Sequence, residues 1–101
     1  MINLAPDISI MRNVSEIERL KCALLTDVAA VFQALSVQKA DSSELLASVI
    51  ETAYLLSARL GSDAAETTNR VARRVRREIL AAPEPDSYKS ALLNYLTRTV
   101  E

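Results

Sequence analysis

The residues best equipped for chemistry in this chain are arginines. Arg70, Arg73, Arg74 and Arg77 recur at i, i+3, i+4 and i+7 within the run RVARRVRR. On a helix that spacing gathers four guanidiniums on one face, where each like-charged neighbour pair costs roughly 0.2–0.5 kcal/mol. Two readings follow. The run can be a solvated face near a helix C-terminus, with the dipole and with Glu66 and Glu78 as partners. It can equally be a binding face, because an arginine fork matches the oxygens of a nucleotide phosphate or of an acidic protein. Nucleic acid is the weaker form of this second reading, since no aromatics interleave the arginines and the rest of the chain is acidic.

Carboxylates come next. A hard divalent cation wants several carboxylate oxygens converging from facing helices. The candidates are Asp27, the one acid inside the apolar part of the first helix, and Glu44 and Glu51, seven residues apart on the second. Each has an ordinary role as well: Glu44 as a helix cap, Asp27 and Glu51 facing solvent or an arginine such as Arg59. The expectation is no metal site and no cofactor. Histidine is absent from the sequence, so Ser–His, Cys–His and His-ligated metal chemistry have no means within one chain. Ser48, Thr52 and Ser57 then read as small residues that ease helix packing or bond back to a carbonyl. Cys22 reads as a small core hydrophobe, and Tyr54, Tyr88 and Tyr95 as packing residues with one wet end.

Helices must position these groups. With one glycine in 101 residues, an all-β protein with its frequent tight turns is excluded. Residues 1–14 form an apolar-flecked arm (Ile2, Leu4, Ile8, Ile10, Met11), in which Pro6 is expected to prevent a helical start. Ser15 and Glu18 make a capping box that opens the first helix, followed by Ile17, Leu20, Leu24, Val28, Val31 and Leu35 at helical spacing, with Leu25 and Phe32 widening the stripe. A break is expected around residues 38–41. Asp41–Glu44 is a second capping box. The central helix through Leu60 carries Leu45, Leu46, Val49, Ile50, Ala53 and Leu56, too much apolar girth for one buried face. Gly61 ends it, being the residue that takes a left-handed backbone without steric cost. Asp63–Glu66 opens a third helix with the seam Ala65, Thr68, Ala72, Val75 and Ile79. Pro83 bars its continuation, and Asp86 or Ser87 caps a short last helix bearing Tyr88, Leu92, Tyr95 and Leu96. Short connections make neighbouring helices antiparallel. The reading is an all-α, compact antiparallel bundle of three long helices and a short C-terminal one, with 15–101 as a single domain completed by homo-oligomerisation.

Net charge is −1, from 12 basic and 13 acidic residues, so no whole-molecule field favours an anionic membrane. Pro6 and Asp7 interrupt any secretory signal, and no uninterrupted run of about 18 apolar residues is seen, so neither export nor a membrane span is expected. The lone Cys22 cannot form an intrachain disulfide and suits a reducing compartment. A cytoplasmic protein is the expectation.

Ala47-Ser48-Val49-Ile50 leading to Tyr54-Leu55-Leu56, then Arg59-Leu60-Gly61 and the acidic start Asp63–Glu66, resembles the second-helix region of the all-α MazG-like group. Leu24–Leu35 is similar to that group's first catalytic helix, and the likeness spans residues 15–80. It implies an all-α oligomer. In members that split nucleoside triphosphates into monophosphate and pyrophosphate, magnesium is held by E-x-x-E on one helix and E-x-x-D on the next. Here those positions fall on Asp27 and Ala30, then on Leu45 and Ser48. Shifting the second pair back one residue recovers Glu44 but places Ala47 where Asp belongs.

One acid in four cannot strip magnesium of its tightly held water. The leading expectation is therefore a catalytically silent protein of this kind, working as a homodimer or higher oligomer or by binding a partner or phosphate ligand. The alternative is a divergent magnesium-dependent nucleoside triphosphate pyrophosphohydrolase using Asp27, Glu44 and Glu51, with Arg70, Arg73, Arg74 and Arg77 on the phosphates. A further alternative is a regulatory adaptor that works through the arginine face.

Overall fold

The computed structural model describes the backbone at residues 5–37 and 42–100 and the side chains at 9–37 and 42–98. Four helices follow in chain order: α1 Ala5–Val37, α2 Ser43–Arg59, α3 Ala64–Ala81 and α4 Ser87–Val100. No strand occurs among the described residues, so the all-α reading holds. The chain divides into two compact units, residues 1–61 and 62–101. In each, one pair of helices packs together: α1 with α2, and α3 with α4.

The helix ends follow local chemistry. Asp63 is extended and accepts a 2.8 Å hydrogen bond from the Glu66 amide, satisfying one orphan donor of α3. Asp86 Oδ1 accepts from the amides of Tyr88 and Lys89 at the start of α4. At the end of α2, Gly61 takes φ +104°, and its amide donates to the Ala58 carbonyl. Ala82 turns extended before Pro83, which ends α3.

Two ends depart from expectation. Helix α1 begins at Ala5, so Ser15 lies inside it and caps nothing. Pro6 sits in the first turn, where its missing N–H would have had no intrahelical acceptor and its fixed φ suits a helix. The N-cap of α2 is Ser42, whose side chain makes no capping bond. The break around 38–41, the Asp41 cap, and Ile2, Leu4 and the Ile8 side chain lie outside the described residues.

The first unit is an antiparallel hairpin. Asn13 near the start of α1 donates to the Arg59 carbonyl at the end of α2, and Asp27 meets Thr52 midway. Leu20, Val31 and Ala34 are buried along α1, with Ile17, Leu24 and Val28 half-buried. Leu25 and Phe32 are not: they stand 74% and 65% exposed. Leu35 and Cys22 are also exposed, which corrects the core roles expected of them. In α2 the buried residue is polar Thr52, at 7% exposure, while Leu46, Ile50, Leu55 and Leu60 are exposed.

In the second unit Thr68, Ala72 and Val75 are buried along α3, and Leu96 along α4. Lys89 bridges to Glu78 at 3.4 Å, tying the start of α4 to the end of α3 in an antiparallel pair. Tyr88 and Tyr95 lie largely exposed rather than packed.

Ser9–Val37 is long and apolar enough to cross a membrane by length and composition, which the sequence reading had not anticipated. One face of that same segment packs on α2, and Asp27 near its middle is hydrogen-bonded there. Only about 11% of its most apolar stretch is buried, so most of the segment's surface is uncovered by the chain itself.

Candidate functional site

Asp27 is half-buried, and its Oδ2 accepts a 2.9 Å hydrogen bond from Thr52 Oγ1. The sequence reading had Thr52 easing helix packing or bonding back to a carbonyl; its hydroxyl bond crosses to α1. Since α1 and α2 are antiparallel, Thr52 comes opposite Asp27 only in this register, and no local signal carries that information. Glu44, in the first turn of α2, and Glu51 are both exposed. Glu51 follows the turn of the helix about 100° away from Thr52, so it points aside from Asp27. The three acids therefore do not converge. Among the described residues no group of three His, Cys, Asp or Glu side chains could hold a metal ion. Asp27 Oδ2 accepts from a hydroxyl, and Glu44 and Glu51 face solvent separately, so the three acids do not share one donor set.

The arginines are brought together. Arg70, Arg73, Arg74, Arg76 and Arg77 line one open concavity along α3 that ends at Leu80. Arg76 joins the four singled out by spacing, because at 100° per residue it lies about 60° beyond Arg73 on the helix surface. Glu66 pairs with Arg70 at 2.9 Å, as expected of it. Glu78 does not serve the arginines; it is held by Lys89. Arg73, Arg74, Arg76 and Arg77 make no ion pair or hydrogen bond among the described residues. Arg74 and Arg77 turn away from the buried seam Thr68, Ala72 and Val75, whereas Arg73 and Arg76 flank it beside Ala72 and Thr97 of α4.

A third feature is apolar. Round the axis of α1, Leu25 and Phe32 lie about 120–140° from the buried Leu20, and round α2, Leu46 and Ile50 lie about 120–160° from Thr52 in the same sense. Equal rotations on two antiparallel helices lead to the same side of the hairpin. In the Asp27–Thr52 register, Phe32 is level with Leu46 and Leu25 with Ala53 to within about a residue. One side of the first hairpin thus presents a continuous greasy strip.

Charge at the open end of that hairpin is locally settled. Arg19 holds Glu16 through three hydrogen bonds of 2.9, 3.1 and 2.8 Å. This bond, with Arg19 and Arg59 adding positive field, keeps the Glu16 carboxyl below its ordinary pKa against a small opposing effect of burial, and Arg19 is raised in return.

A family model described as the MazG-like family matches residues 10–87. No curated protein and no solved structure matches the chain.

Proposed function

Because the chain belongs to the MazG-like family, we propose that it is a member without the pyrophosphohydrolase metal site, and that it works by pairing with a second copy of itself. The observation that carries this reading is the inverted burial in the first hairpin. Thr52 is inside while Leu25, Phe32, Leu46 and Ile50 are outside on one side of the helix pair. An apolar strip of that length is costly in water, at roughly 25 cal/mol per Å² of apolar surface. Two such hairpins face to face form a four-helix arrangement that covers both strips, and a two-fold pairing needs no second kind of partner.

The absence of a converging acid set supports the silent half of the reading. Asp27 falls where the resemblance places a metal ligand, but no second acid of the described residues converges on it, and its Oδ2 accepts from Thr52. Sedimentation velocity at micromolar concentration is the test for assembly, with a dimer or larger species expected; an 11.1 kDa monomer throughout would sink it. A panel of nucleoside triphosphates with magnesium or manganese tests silence. Pyrophosphate release abolished by Asp27→Asn would restore the enzyme reading.

A further inference from the structure

The arginine face of α3 belongs to the second unit and has a shape of its own. We infer that this face is a docking surface for the phosphate backbone of duplex DNA.

Three observations bear on the occupant. The first is uncompensated charge. Glu66 and Glu78 are engaged by Arg70 and Lys89 respectively, and among the described residues Arg73, Arg74, Arg76 and Arg77 have no carboxylate partner. The second is width. At 100° per residue, Arg70 to Arg77 fan across about 160° of the helix circumference, from Arg76 at one edge to Arg74 at the other. A partner helix covers a stripe of about 100°. A groove with a charged row on each rim covers more, and the major groove of B-DNA, about 12 Å wide, admits one α-helix between two rows of phosphates. The third is exposure. The arginines are all exposed; Arg73 and Arg76 line a shallow hollow beside Ala72 and Thr97 of α4, and Arg70, Arg74 and Arg77 turn away from α4.

The lack of interleaved aromatics counts against single strands, whose bases stack on such rings, and has no bearing on a duplex bound through phosphates. A-form RNA is disfavoured because its major groove is too deep and narrow for side chains to read. The concavity that the arginines line is open, and among the described residues its lining holds Leu80 and no aromatic ring to stack a single nucleoside base.

Fluorescence anisotropy with a short labelled duplex of mixed sequence, at a series of salt concentrations, tests the proposal. Four freed phosphate contacts predict a slope of log K against log salt of about −3.6, and each arginine removed flattens it by about one. Arg74→Gln and Arg76→Gln, at the two edges, are each expected to weaken binding several-fold at low salt, with helicity by circular dichroism unchanged. The same measurement is run with a single strand of equal length and with polyglutamate. No duplex binding at low salt overturns the proposal. So does a slope insensitive to both substitutions, or polyglutamate bound as tightly as the duplex, which would assign the face to an acidic protein. None of these outcomes depends on the oligomeric state expected above.

Discussion

Thr52 Oγ1 donates a 2.9 Å hydrogen bond to Asp27 Oδ2 across the α1–α2 interface. A buried hydroxyl and a half-buried carboxylate satisfy one another where two leucines would ordinarily meet. The pair sets the helix register, and it leaves Asp27 with one carboxylate oxygen already engaged.

Removing one member of that pair strands the other. Thr52→Val should destabilise the chain by about 0.5–1.5 kcal/mol, the net worth of a hydrogen bond whose acceptor is half-buried. The double variant Asp27→Leu with Thr52→Val should recover most of that loss, because both polar groups go together. Urea unfolding of the single and double variants measures the coupling; an uncoupled pair would show additive losses.

The apolar strip should respond to charge. Leu25→Glu with Phe32→Glu is expected to shift the sedimenting species to monomer while leaving helix content intact, since both side chains already face out of the hairpin. Leu20→Glu is the contrast: it buries a charge at a 3% exposed position and should unfold the hairpin outright.

Gly61→Ala tests the end of α2. At φ +104° any L side chain is strained, even though an added Cβ would meet no atom within 4 Å. The expected loss is about 1–2 kcal/mol by thermal or urea unfolding, with no loss of packing. An unchanged stability would mean that the turn relaxes to another conformation.

Asp63→Ala removes the cap of α3 and should cost about 0.5–2 kcal/mol. Asp63→Asn should retain most of it. Circular dichroism melts of both variants are the readout.

Glu16 supplies a pH signature. Its folded-state carboxyl pKa is depressed by Arg19, so the pairing contributes above the ordinary glutamate range and is lost as pH falls through the depressed folded value. NMR titration should place the Glu16 midpoint below that of a free glutamate. Arg19→Gln should bring it back toward the ordinary value.

Much of this protein is legible one helix at a time. Asp63, Gly61, Pro83 and Asp86 mark helix ends through bonds and steric limits that reach no further than about four residues, so the chain declares them locally. The seam of α3 was legible in most of its length: Thr68, Ala72 and Val75 are buried and Ile79 half-buried, while Ala65 in the first turn is exposed. Pro6 misled, since a proline reads alike in the first turn of a helix and before it.

What the sequence by itself determined, then, is that the chain is helical, where α3 and α4 begin, where α2 and α3 stop, and which side of α3 carries its charge. Which side of α1 and α2 turns inward was decided only by tertiary structure. Both helices are apolar over several faces, so hydrophobicity alone leaves their rotation degenerate. The hydrogen bond between Asp27 and Thr52 is made in one of the available rotations, and that rotation carries Leu25, Phe32, Leu46 and Ile50 to the outside.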